Sequence, residues 1–230
     1  MKIAAFDTSS SSGSVAILDD DQLVAELTIA QPGVHAQWLL KAFDALLRDA
    51  GVCLQDIDLF AVGAGPGSFT GLRIGISAVK GLAWACGRPV AGVSVLEALA
   101  MNLRGSKMAV CPILDARKGD VYAALYGLDA DISSVIIEEA AFKPDDLFQR
   151  IRDAGQDTSV VFIGSGLVTY KDAVKENLPG ARFAQPAFWH VRALNVGLMA
   201  LAAGDKAMPP SGLRPVYLRK SEVEAKTTVV

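Results

Sequence analysis

Cations, imidazoles and thiols are all scarce in this sequence. Its 22 lysines and arginines are outnumbered by 25 aspartates and glutamates, leaving a formal net charge of −3. Proteins that hold nucleic acid unaided show a basic field, because phosphate neutralisation dominates that affinity. No such field exists overall, so any RNA contact needs a partner to supply most of the positive charge. The two histidines, His35 and His190, are too far apart in sequence for a His-x3-His metal pair. Cys53, Cys86 and Cys111 show no CxxC spacing, which argues against a disulfide framework or a zinc site and leaves buried thiols as the expectation. No apolar run approaches the roughly 18 residues that span a membrane. The start, MKIAAFDTSSSSGSV, meets serine and aspartate too early for a secretory leader. The expectation is a cytoplasmic protein without membrane contact.

What the sequence does have is material for a full core: 51% of its 230 residues are hydrophobic and 20% charged. Lys2 to Asp7 predicts a buried strand ending in an acid, TSSSSG turns the chain, and SVAILDD returns. Farther on, MAVCPILD ends in Asp115, ARKGD turns, and VYAALYGLD returns. The echo of strand, terminal acid, polar turn and strand predicts a duplicated α/β unit, with lobes at 1–106 and 107–230. In VHAQWLLKAFDALLRDAG, Leu39, Leu40, Phe43, Leu46 and Leu47 fall at helical spacing, and Gly51 stops the helix. IDLFAVG reads as a strand, TGLRIGISAVKGLAWACG as a second helix stopped by Gly87 and Pro89, and PVAGVSV as a strand. Later, KPDDLFQRIRDAG reads as a helix opened by Pro144, SVVFIGSGLVTYKDAV as strand, turn and helix, and HVRALNVGLMALAAGD as a last helix.

The stretch VGAGPGSFTGLRIG, Val62 to Gly75, carries five glycines between a strand and a helix. A Walker loop needs a lysine that is absent, and the dinucleotide pattern GxGxxG fails at Ser68. The nucleophile elbow GxSxG fails around Gly67-Ser68-Phe69. Two readings survive: backbone donors facing an anion at a helix N-terminus, or a tight turn that brings the helix onto the sheet. Asp7 with Thr8, Ser9 and Ser10, opposite Asp115, would suit Mg-phosphate handling. With Gly65, Gly67 and Gly164 they form a candidate nucleotide cleft. No residue presents itself as a catalytic group or a metal ligand.

The second helix repeats small residues at Gly71, Gly75, Ala78 and Gly81, flanked by Arg73, Ser77, Lys80 and Trp84. Glycine inside a helix costs about 1 kcal/mol, so a close approach must compensate. That approach is either packing within the lobe or contact with another subunit. On the second reading His35, Trp38, Ala42 and Ala45 of the first helix share the surface, with Trp38 and Trp84 as anchors. A charged residue at Gly75 or Ala78 would then break partner binding and spare the fold. The tail LRPVYLRKSEVEAK gathers Arg214, Arg219, Lys220 and Lys226, as a solvated face does.

FDTSSSSGSVAIL, VGAGPGSFTGLRIGISAVKGLAWACGRPVAGVSVLEALA, ILDARKGDVYAALY and PVYLRKSEV resemble the TsaB (YeaZ) family over essentially the whole chain, GPGSFTGLRIG most specifically. The resemblance implies a duplicated actin-like fold of the sugar kinase, Hsp70 and actin type, two lobes each with a mixed sheet flanked by helices. It implies a part in making threonylcarbamoyladenosine beside the anticodon of tRNAs reading ANN codons. TsaD would transfer the group, this chain would support TsaD as a heterodimer, and TsaE would join them. tRNA would be met through that complex, and a homodimer would form when TsaD is absent. ATP or ADP would belong to the complex, with no cofactor required by the isolated chain. TsaD-like enzymes carry a His-x3-His metal pair on the segment matching SVLEALA, where this chain has Val95 and Leu99. The resemblance therefore implies a paralogue without the transfer chemistry. The alternative is a nucleotide-dependent phosphotransferase or ATPase using Asp7 and Asp115.

Overall fold

The computed structural model describes residues 1–30, 35–128 and 133–219, the side chains at 35–37, 133 and 205 excepted. Lys220 and Lys226 of the basic tail lie outside the described residues, as does the His35 side chain. The chain divides into two compact units.

In the first unit, β1 (Lys2–Asp7), β2 (Gly13–Asp19) and β3 (Gln22–Ile29) form an antiparallel meander. After α1 (His35–Ala50), β4 (Leu59–Gly65) pairs parallel with β1; after α2 (Phe69–Cys86), β5 (Val90–Ser94) pairs parallel with β4. The sheet order is β3-β2-β1-β4-β5, and α3 (Val95–Ala100) follows directly. β1, β2 and β4 read as continuous apolar runs because helices cover both faces of the sheet. On one face α1 and α2 close over Phe6, Ile17 and Phe60, with the ring of Phe43 from α1 edge to face with Phe6 at 4.9 Å.

The other face is covered by α6 (Ala193–Ala202), from the far end of the chain. Gly197 makes this possible, since a Cβ there would come within 2.5 Å of Leu18 Cδ1. Strand side chains cap the helix: Ala193 N donates to Ser14 Oγ at 2.9 Å and Leu194 N to Glu26 Oε1 at 3.0 Å. The boundary expected at 106 is therefore corrected. The first unit comprises Met1–Asn102 together with Ala187–Pro215, and Leu103–Pro186 with 216–219 forms the second among the described residues.

The second unit repeats the plan. β6 (Ala109–Asp115), β7 (Val121–Leu128) and β8 (Ser133–Phe142) form the meander. α4 (Pro144–Asp153), β9 (Val160–Ile163), α5 (Leu167–Asn177) and β10 (Arg182–Phe183) complete it, with β9 and β10 parallel to their neighbours. The order β8-β7-β6-β9-β10 reproduces that of the first sheet, giving the duplicated actin-like fold that the resemblance implies. Pro144 opens α4, with Asp145 and Asp146 in its first turn and Arg150 and Arg152 in its last, as the helix dipole favours. Of the cysteines only Cys111 is buried; Cys86 is half-buried and Cys53 exposed, against the expectation of three buried thiols.

Candidate functional site

The carboxyl end of β1 is where the acid, the hydroxyls and the glycine turn meet. Ser9 donates to Asp7 Oδ2 from its N at 3.2 Å and from its Oγ at 3.1 Å. Asp7 Oδ1 is buried without a hydrogen-bond partner. Thr8 Oγ1 donates to the Gly71 carbonyl at 2.7 Å, and Ser68 N donates to the Ser9 carbonyl at 2.7 Å. Ser68 caps α2, its Oγ accepting from Gly71 N. A Cβ at Gly71 would sit 2.0 Å from the Thr8 carbonyl oxygen, and one at Gly75 would sit 2.5 Å from Thr8 Oγ1. At Gly67 it would sit 2.5 Å from the Ser9 carbonyl oxygen, and at Gly63 2.4 Å from Asp7 Oδ1. Of the two readings of VGAGPGSFTGLRIG, the structure realises the tight turn. The glycines let α2 and the loop before it lie directly on Asp7-Thr8-Ser9.

The first-unit residues of the candidate nucleotide cleft pack closely against one another. Asp7, Thr8, Ser9 and Gly65 are buried, and Ser10 and Gly67 half-buried, against their own chain. Burial pushes the Asp7 carboxyl up to about 7, with both Ser9 hydrogen bonds acting the other way. Of the remaining two residues, both in the second unit, Asp115 ends β6 and accepts from Arg117 N at 2.7 Å. Gly164 follows β9 with a φ of +119°. Val95 and Leu99 are fully buried in α3. Among the described residues no cluster of three or more His, Cys, Asp or Glu is placed to hold a metal ion.

The candidate partner surface is sorted by the helix turn. Arg73, Ser77, Gly81 and Trp84 face water, and the Trp84 side chain is among the most exposed large apolar groups, at 78%. Phe69, which sequence reasoning missed, heads the same stripe, with the Arg73 guanidinium 3.8 Å over its ring. Its signal was available, since 69, 73 and 77 are spaced by four. Ala78 and Lys80 are half-buried, Lys80 Nζ reaching the Leu213 carbonyl at 3.4 Å. Gly71 and Gly75 are corrected: they face inward onto Thr8, so a charge at Gly75 strikes the fold and not a partner. Ala42 is likewise buried in the core, while Trp38 and Ala45 are half-buried.

Two like sheets, an enclosed strand-end acid and an outward-facing α2 stripe define an actin-like protein whose glycine turn is taken up by its own packing. The TsaD family model, described as tRNA N6-adenosine threonylcarbamoyltransferase, matches residues 27–226. The tRNA threonylcarbamoyladenosine biosynthesis protein TsaB of Bacillus subtilis is 33% identical, over 98% of this chain and 97% of its own. TsaB of Escherichia coli is also 33% identical, over 96% of each. The solved structure of YeaZ from Pseudomonas aeruginosa superposes with a TM-score of 0.77 at 31% identity, covering 94% of this chain and 99% of that one. The chain belongs to the TsaB (YeaZ) family. No helix among the described residues is long and apolar enough to cross a membrane.

Proposed function

We propose that this chain is a non-catalytic partner subunit that supports TsaD in forming threonylcarbamoyladenosine on tRNA in the cytoplasm. Near full-length kinship with curated TsaB proteins carries the reading. The buried side chains at Val95 and Leu99 support the non-catalytic part, because neither residue type ligates a metal. TsaE joins the assembly, tRNA is met through it, and ATP or ADP serves the complex. The test is reconstitution of the modification from TsaD, TsaE and the adenylate-forming synthase, with and without this chain. Product formation is expected to depend on the chain. Equal product without it overturns the proposal.

The outward stripe of α2 is the surface offered to TsaD, and to a second copy when TsaD is absent. No heavy atom lies within 4 Å of where a Gly81 Cβ would be. Gly81→Arg is therefore expected to fold at least as stably as wild type, with a gain of up to about 1 kcal/mol from helix propensity, and to abolish co-elution with TsaD. Trp84→Ala is expected to weaken association by about 2 kcal/mol, the loss usual for a central aromatic anchor. Unchanged co-elution of both variants on a sizing column would remove the interface from α2.

A further inference from the structure

We infer that the β6–β7 turn, with the cations gathered beside it, contacts the phosphate backbone of the RNA on which the complex acts. The inference rests on the proposed role in tRNA modification. The turn places three successive residues in the left-handed region: Arg117 at φ 63°, Lys118 at 55° and Gly119 at 78°. Its closure is local, with Asp120 N donating to the Arg117 carbonyl at 3.1 Å and Ala116 N to the Asp120 carbonyl at 3.0 Å. Lys118 and Gly119 are the central residues of a mirror-image turn, where asparagine and glycine are the residues that fit without strain. Here lysine takes the first central position and arginine, also left-handed, precedes it, and both residues are exposed.

Other cations join them from distant parts of the second unit. Asp120, 16% exposed, pairs with Lys143 Nζ at 2.5 Å and with Arg219 Nη1 at 3.2 Å. The Lys143 ammonium holds the Asp120 carboxyl below the usual range. Arg219 also donates to the Arg117 carbonyl at 3.4 Å. Asp115 is occupied by the Arg117 backbone N–H, and its carboxylate stands 3.9 Å from the Arg117 guanidinium. Three cations thus pair with two carboxylates, one of them largely enclosed, and the exposed Lys118 stands beside Arg117 in the chain. The Arg117 side chain is 88% exposed and that of Lys143 62%. The result is a local positive spot on a chain of net charge −3. Exposed arginine and lysine on a protruding turn suit the evenly spaced phosphates of an RNA strand. Because the rest of the chain is acidic, such contact adds to binding within a complex and does not create it alone.

The test uses the double variant Arg117→Asn/Lys118→Asn, which removes both charges and places a residue suited to left-handed backbone at each position. Wild-type and variant chains are assembled with TsaD, assembly is checked by gel filtration, and tRNA binding is followed by fluorescence anisotropy across a salt series. Wild-type assembly and tRNA affinity are expected to be normal, while the variant assembles equally but binds tRNA roughly tenfold more weakly or worse at 0.1 M salt. The slope of log affinity against log salt is expected to fall by about 1 for each lost phosphate contact, so by about 2. An unchanged affinity and slope overturn the proposal. Lost assembly with unaltered RNA binding would make the turn a protein contact and overturn it too. A wild-type chain that fails to support modification sinks the underlying functional reading, an outcome separate from any effect of the variant.

Discussion

Gly71→Ala is expected to destabilise the first unit by about 3 kcal/mol or more, the range of severe steric insertion into a packed site. The added methyl would lie 2.0 Å from the Thr8 carbonyl oxygen, a backbone atom with no rotamer to escape into. Thr8 follows β1, the central strand of its sheet, and its hydroxyl is bonded back to the Gly71 carbonyl, so helix and strand end must separate for the methyl to fit. Helix propensity alone predicts the opposite sign, a gain of about 1 kcal/mol for alanine over glycine in a helix interior. Gly81→Ala supplies the control, because the same helix carries it with nothing nearby; it is expected to gain up to about 1 kcal/mol. Gly75→Ala falls between, since its clash is with Thr8 Oγ1, which can rotate at the cost of its hydrogen bond. Urea unfolding midpoints of the three variants check the order. A Gly71→Ala variant as stable as wild type would mean that α2 does not lie on Thr8 as described.

A second large effect is expected from pH. In the folded chain the Asp7 carboxyl titrates at about 7, against an ordinary value of 3.8, because burial disfavours its charge more than Ser9 favours it. The folded state therefore holds this proton over the interval in which the unfolded chain has released it. The stabilisation is fully present below pH 3.8 and is lost as pH rises toward and through about 7. The loss amounts to roughly 4 kcal/mol at most. Asp7→Asn keeps an acceptor for Ser9 and carries no charge. The variant is expected to match wild type near pH 4 and to be more stable above pH 7, by up to about 4 kcal/mol. Denaturant unfolding of the pair at pH 4, 6 and 8 measures it. Parallel pH profiles would show that Asp7 does not titrate with folding. The same variant bears on function, because a partner subunit keeps its role without this carboxylate whereas a phosphotransferase built on Asp7 would not.

Much of this was legible in one dimension. The buried strands announce themselves as apolar runs, α2 ends where Gly87 takes a left-handed φ of 63°, and the two acid-ended hairpins declare the duplication. β3 and β8 escaped notice because they are edge strands with water on part of their surface, leaving no clean apolar run. Val24 and Leu27 of β3 and Val135 of β8 are exposed, for instance. Ordinary helix geometry could have separated the glycines of α2. Gly71 and Gly75 share a face, while six further residues at about 100° each turn Gly81 away.

The sequence by itself determined the class of fold, the family, and the need for a close backbone approach at the glycine turn. Periodicity, glycine and capping chemistry act between near neighbours and are written in order along the chain. Tertiary structure alone decided what approaches those glycines, which is the Thr8 strand end and not another subunit. It also decided that α6 belongs with β1 and β2, and that Lys143 and Arg219 meet at the Asp120 carboxylate beside Arg117. Those outcomes depend on which distant segments the two sheets bring together, and no local pattern encodes that distance.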